Sequence, residues 1–327
     1  MNRLLLCCLA LLLGCGLTWA PAAQADVTCQ AAIQAGSINF GNVDPSQAQN
    51  VDVTATISYN CSNTDKQSQQ LTLCFNIDSD GATTGGNRQM AGTAASTLQF
   101  QLYRDAARTQ VAGSIYASGA SQPVRAQVSV PKSRGNGPGM YTGTVNVYGR
   151  VFGSQSSPVG SYSANFAPKL TGAVGWVGCN NTYDDGISMM SPFTVMANVP
   201  PACSTAAASD LDFGQSTGFL AANMDQTSTI DIACVNGTPY QVGLDQGINA
   251  DGNGRRMLLS GGGDYVAYNL YRDPARSQTW GNAQNTDTIA GTSTGLSRQL
   301  TVYGRVPQQA TPTPGNYTDT ITVYVYY

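Results

Sequence analysis

The chain has 327 residues, only 11% of them charged, a net charge of −3 and no histidine. This balance leaves no basic surface for nucleic acid or an anionic membrane. Without histidine there is no Ser-His-Asp or Cys-His nucleophile, and the commonest zinc ligand is gone. No nucleophile stands beside a base, so the reading is a non-enzyme with no cofactor and no metal.

The first residues, "MNRLLLCCLALLLGCGLTWAPAAQADVTC", place Arg3 before an apolar run and small residues at Ala23 and Ala25. This is the pattern of an export signal, with cleavage after Ala25 and a mature chain from Asp26. A lipoprotein-type box, "LLGC" at 12–15, competes with it, but its second leucine is a poor match. No later stretch reaches the roughly 20 apolar residues that a membrane helix needs. The expected destination is therefore outside the inner membrane. Loss of Cys7, Cys8 and Cys15 leaves six of the nine cysteines (9 − 3 = 6), an even number in an oxidising compartment, which points to disulfides.

From residue 26 onward the chain repeats itself. "SINFG" at 37–41 recurs as "DLDFG" at 210–214, "ISYNC" at 57–61 as "DIAC" at 231–234, and "QFQLYRDAAR" at 99–108 as "AYNLYRDPAR" at 267–276. "GMYTGTVNVYGR" at 139–150 pairs with "GNYTDTITVYVYY" at 315–327. A repeat this long is a duplicated domain, with expected copies at 26–191 and 192–327. Within each, short alternating segments such as Val51-Val53-Ala55-Ile57 and Leu300-Val302 lie between Gly, Pro, Asn and Asp clusters. That is the habit of antiparallel β-sandwiches, so the fold class is all-β: two tandem immunoglobulin-like sandwiches. The duplication pairs Cys29 with Cys61 and Cys203 with Cys234, which occupy equivalent places, and leaves Cys74 to pair with Cys179.

Residues 154–191 are an insert of the first copy, with Tyr162, Ala164 and Phe166 alternating as a strand does. The second copy has no such insert. Its strand pattern runs through Ile321, Val323, Val325 and Tyr327 on one face, with Thr320, Thr322, Tyr324 and Tyr326 on the other. An unfinished sandwich exposes its core and an open edge, so these four residues are expected to line a groove for a strand donated by another chain. Only Asp26, Val27 and Thr28 precede Cys29 in the expected mature chain, too few to serve as a donor strand in turn.

Several motifs have a plainer reading. "NADGNG" at 249–254 spaces Asn249, Asp251 and Asn253 like calcium ligands, but Ser260 stands where a glutamate belongs; it reads as a turn. Arg104, Asp105 and Arg108, with Arg272, Asp273 and Arg276, recur in both copies and read as structural turns.

Both copies resemble the spore coat protein U domain found in subunits of archaic, Csu-type chaperone-usher pili. The resemblance rests on "FG" after the first cysteine strand, "LYRD-AR", "TVYGRVP" at 301–307 and "PGNYTDTITVYV". It implies a periplasmic chaperone, an outer-membrane usher and an adjacent pilin subunit as partners. A tandem pair resembles the tip adhesin, which implies export through the periplasm to the pilus tip, attachment to an abiotic or host surface, and biofilm formation. Tip adhesins of this family use apolar loops, which here would be Val111, Ile115 and Tyr116, and Leu170, Val174, Trp176 and Val177. The competing reading packs these residues in the core. A carbohydrate-binding adhesin of the same architecture and a secreted coat or matrix protein are the alternative functions.

Overall fold

In the computed structural model the described residues are 27–77, 83–84, 86–116, 122–176, 178–179, 188–217 and 220–327. The expected signal segment lies outside them. The architecture is all-β, with two sandwiches around two separate hydrophobic cores.

In the first sandwich one long sheet runs, in spatial order, Met189–Met190, Val27–Ile33, Val51–Asn63, Gly139–Val151, Thr97–Tyr103, Asn87–Ala91, Gly160–Phe166, Phe193–Val199 and Ser37–Asn42. Val27–Ile33 and Ser37–Asn42 are consecutive in the chain yet sit towards opposite ends of that order. The turn between them, with Gly36 at φ 67°, sends the chain from one side of the sandwich to the other. A smaller sheet of Lys169–Val174, Gln69–Asn76 and Val124–Val130 covers the remaining face. The alternation at Val27, Cys29, Ala31 and Ile33 turns those four side chains inward, as a period of two requires.

The second sandwich repeats the plan with three shorter sheets: Cys203–Ala208, Met224–Cys234, Arg298–Val306 and Asn269–Tyr271; Ile289–Thr292, Pro239–Leu244 and Val323–Tyr326; and Tyr265–Ala267, Arg256–Leu259 and Tyr317–Thr318.

All three expected disulfides are present. Cys29 stands directly opposite Cys61, and Cys203 opposite Cys234, on neighbouring antiparallel strands, with Cα separations of 4.1 and 4.0 Å. Cys74 joins Cys179 and so ties the segment after Lys169–Val174 to the middle of Gln69–Asn76.

Strand pairing corrects two readings of the sequence. Asp52 pairs with Arg150 and Asp225 with Arg305, so "VNVYGRV" at 145–151 is equivalent to "LTVYGRV" at 300–306. The segment equivalent to "GNYTDTI" at 315–321 is "GSYSANF" at 160–166. In both, the tyrosine hydroxyl donates to the carbonyl four residues earlier: Tyr162 to Pro158 and Tyr317 to Thr313, each at 2.6 Å. Most of the supposed insert therefore has a counterpart in the second copy. The second correction is the boundary. Phe193–Val199 lies beyond the expected division at 191/192 yet belongs to the first sandwich, antiparallel to Gly160–Phe166 and parallel to Ser37–Asn42. Phe193, Val195, Ala197 and Val199 all join the first core.

The sandwiches meet where the Asn236 carbonyl accepts from the Val159 backbone N–H at 2.9 Å and the Asn236 amide donates to the Ser156 carbonyl at 2.8 Å. Val235 packs into the first core.

The "YRD-AR" blocks are matched turns. Asp105 accepts from the backbone N–H groups of Thr109 and Gln110, and Asp273 from those of Ser277 and Gln278. Arg108 and Arg276 take left-handed backbone angles, φ 56° and 54°, which aim each guanidinium back across the sheet. Arg108 donates to the Gly149 and Val53 carbonyls, and Arg276 to those of Gly304 and Gln226. The glycine of "VYGR" is needed because the aromatic ring of the first "FG" segment closes over it: a Cβ on Gly149 would lie 2.8 Å from Phe40, and one on Gly304 3.0 Å from Phe213.

Asp52 and Asp225 complete these clusters. The Arg150 hydrogen bond holds Asp52 below its ordinary pKa, against the opposing effect of desolvation and with help from the charge of Arg108. Arg305 and Arg276 do the same for Asp225. A carboxylate whose folded pKa is depressed contributes stability that is complete above its unfolded value and is lost as pH falls through the folded one. Thermal midpoints measured against pH should therefore fall below about pH 4, and less steeply in a Asp52→Asn/Asp225→Asn chain. Replacing Arg108 or Arg276 by alanine strips two carbonyls of a charged donor and should cost about 1–3 kcal/mol in denaturant titrations.

Candidate functional site: an open strand groove in the second sandwich

In the first sandwich the slot between Gly160–Phe166 and Ser37–Asn42 is filled by Phe193–Val199. In the second, the two walls are present but no strand stands between them among the described residues. Residues 208–213 form one wall and 317–323 the other, and the space between is a groove of about 550 Å³. Its floor is Ile230, Leu244, Met257, Leu270 and Val302.

Matched positions show what the missing strand leaves uncovered. Met90, Ile38, Tyr162 and Phe166 are each no more than 2% exposed. Their counterparts Met257, Leu211, Tyr317 and Ile321 are all only half-buried. The wall itself changes: Ser37–Asn42 is a strand, while 210–214, of near-identical pattern, is not one. The tight turn survives, since the backbone N–H of Gly41 donates to Asn39 and that of Gly214 to Asp212, both at 2.8 Å. What the second segment lacks is a neighbour to pair with.

Of the four residues expected in the groove, Ile321 and Val323 line it. Val325 pairs with Val242 and packs against the second core. Tyr327 is 62% exposed and stands away from the lining. Tyr324 and Tyr326 stack at 6.2 Å, and the Tyr326 hydroxyl donates to Asn282 at 2.8 Å.

The groove also carries a polar pair that the sequence reading passed over. Tyr268, equivalent to Phe100, donates its hydroxyl to Asp319, equivalent to Ala164, at 2.7 Å. Burial, then Asp319, push the Tyr268 phenol far above its ordinary range. Asn249 donates to the same carboxylate from its backbone N–H and its side-chain amide, at 3.2 and 3.0 Å. Nearby, buried Arg255 donates to the Leu244 and Trp280 carbonyls, as its counterpart Arg88 does to those of Ile77 and Ala112. "NADGNG" is the turn that brings Asn249 here: Asp251 pairs with Arg256 at 2.9 Å and accepts from the Asn253 N–H. The repeat as read from the sequence does not mark the pair: Tyr268 stands opposite Phe100, another aromatic, and Asp319 opposite Gly143.

The expected adhesive residues do not form one cluster. Val174 and Trp176 are 66% and 60% exposed, at the end of Lys169–Val174 farther from Gly160. Tyr116 is exposed but lies against Lys169, whose ammonium sits 5.1 Å from the ring centre. Tyr116 is thus tied to the residue that opens that strand, and Val174 is the residue that ends it. Leu170 is a correction: at 1% exposure it is a core residue, because it faces inward opposite Phe75. Val111 and Ile115 are half-buried. Val177 lies outside the described residues.

The Spore Coat Protein U domain family matches residues 17–167 and 189–324. The chain belongs to that family. The second family match begins ahead of Phe193–Val199, the strand that the fold gives to the first sandwich. Among solved structures, the chain is similar to the CsuC–CsuE chaperone–tip adhesion subunit pre-assembly complex from the archaic chaperone-usher Csu pili of Acinetobacter baumannii. That likeness has 16% identity over 91% of this chain and 100% of that one, with a TM-score of 0.48. It is also similar to the CupB6 tip adhesin from Pseudomonas aeruginosa, at 9% identity over 92% of this chain and 94% of that one, TM-score 0.36. No curated protein sequence matches.

The strand Phe193–Val199 closes the first sandwich, with Phe193 stacked on Phe166 at 5.0 Å. Phe193→Ala should cost about 3–5 kcal/mol. Hydrogen exchange read by segment should then show protection falling across 27–199 and holding across 203–327.

Proposed function

We propose that this Spore Coat Protein U family member is the adhesive end subunit of a chaperone-usher pilus. Its second sandwich receives a strand, first from a periplasmic chaperone and then, at the outer-membrane usher, from an adjacent pilin subunit. The observation that carries this reading is the matched pair of slots: one filled by the chain's own Phe193–Val199, the other open over an apolar floor. An open slot is costly in water, since its floor is apolar and its walls present unpaired backbone groups. Added strands that pair with such edges are a known mode of recognition. The open slot is what a strand from another subunit would complete, while the closed first sandwich is free to face outward.

On the first sandwich, Val174 and Trp176 supply the contact with an abiotic or host surface, and through it attachment and biofilm formation. Two apolar side chains exposed two residues apart in sequence, at the end of a strand away from the joint with the second sandwich, support the reading of apolar adhesion.

Two measurements test this. Val174→Asp/Trp176→Asp should reduce attachment to polystyrene at least about ten-fold, while free sugars leave the parent unaffected and a non-ionic surfactant releases it; unchanged attachment would overturn the apolar reading. For the groove, Ile321→Asp should abolish co-purification with the chaperone encoded with the pilus, while all three disulfides still form. Retained co-purification would place the chaperone elsewhere.

A further inference from the structure

The first sandwich supplies the register of the strand that the second one lacks. Phe193–Val199 runs antiparallel to Gly160–Phe166, with Phe193 opposite Phe166, Val195 opposite Ala164, Ala197 opposite Tyr162 and Val199 opposite Gly160. Carried to the equivalent wall, these four positions face Ile321, Asp319, Tyr317 and Gly315. Three of the four facing positions keep a similar character: Phe166 becomes Ile321, Tyr162 is matched by Tyr317 and Gly160 by Gly315.

The fourth does not. In the first sandwich Val195, with 0% exposure, lies opposite Ala164 and shares the core with Phe100. In the second, the residues equivalent to Ala164 and Phe100 are Asp319 and Tyr268, which bond to each other, and both line the groove. Phe213 still packs edge-on against Tyr268 at 6.1 Å, as Phe40 does against Phe100 at 6.4 Å. The aromatic position is kept, and a hydroxyl and a carboxylate are added where the middle of the incoming strand must lie.

Asp319 accepts from Asn249 on one oxygen and from Tyr268 on the other. Three of the roughly four acceptor sites of a carboxylate are thus taken, which leaves one, on the oxygen that Tyr268 reaches. A methyl group seated against it leaves that site of a charged group dry and unpaired, which is unfavourable. A hydroxyl or amide donor pairs with it, and a hydrogen bond to a charged acceptor is among the stronger kinds. A carboxylate would be repelled.

We propose that the second sandwich selects a strand bearing a hydroxyl or amide side chain, and not a purely apolar one, at the position facing Asp319. This rests on the reading that the groove receives a strand, and it adds which strand is preferred.

The test uses two peptides built on the chain's own closing strand, "SPFTVMANVPP" at 191–201, one unchanged and one with Val195→Thr, an almost isosteric exchange. Each is titrated against the full chain, with hydrogen exchange at 315–321 used to locate binding. The threonine peptide should bind about five-fold tighter or more. In a Tyr268→Phe/Asp319→Ala chain, which carries the first sandwich's residues at both places, the order should reverse. Tyr268→Phe alone, a change that removes only the hydroxyl, should keep a preference for threonine because Asp319 remains. Equal binding of the two peptides, or tighter binding of the unchanged one to the parent chain, would overturn the selectivity and leave the strand-receiving groove standing. Protection of 315–321 by neither peptide would overturn both.

Discussion

A strand slot in a β-sandwich cannot be left empty without cost. Its floor is core, and its two walls hold backbone N–H and C=O groups spaced for partners they do not have. This constraint organises both halves of the molecule. Where Phe193–Val199 fills the slot, one continuous sheet runs from Met189–Met190 round to Ser37–Asn42. Where no described strand fills it, the wall at 210–214 is no longer a strand, and the corresponding sheet is divided at Tyr268, between Tyr265–Ala267 and Asn269–Tyr271. The sequences of the two walls are close enough that the difference in conformation follows from the neighbour they pair with.

The duplicated "YRD-AR" and "VYGR" blocks show how the rest of the sandwich persists despite that break. They bind three strands together through arginine-to-carbonyl bonds and a matched aspartate, and their bonding is closely alike in the two copies. The frame is therefore built from interactions that do not require the slot to be filled. The disulfides add to it: each copy has one bridge between directly opposed residues of neighbouring strands. Only the first has a second bridge, Cys74–Cys179, where an extra segment must be held.

Much of this was legible in the sequence. Period-two alternation marked the strands, and the repeat marked the duplication. The equivalence of Cys29–Cys61 and Cys203–Cys234 marked two disulfides and left the third. What was not legible is instructive. "FTVMANV" at 193–199 follows Pro192 and precedes Cys203, so in the chain it stands with the second copy; only long-range pairing with Gly160–Phe166 assigns it to the first. "GMYTGTV" was matched to "GNYTDTI" because both open with Gly-x-Tyr-Thr, yet the register of the arginine–aspartate pairs shows that they are different strands. Exposure was no better marked: Leu170 and Val174 lie on the same short strand in similar company, and one is core while the other faces solvent. The polar pair Tyr268–Asp319 was hidden for a related reason, since neither residue is unusual until folding places it in the groove.

The joint between the sandwiches gives Phe193–Val199 a second meaning. Its last residue leads through Pro200 and Pro201 directly into Cys203–Ala208, the strand clamped by Cys203–Cys234. Tension passing along the chain from one sandwich to the other thus enters a strand bonded on both sides at one end and a disulfide-locked strand at the other. Such a load is shared along whole ladders of hydrogen bonds in place of being taken one bond at a time. The element that completes the first core is also its mechanical anchor to whatever the second sandwich holds.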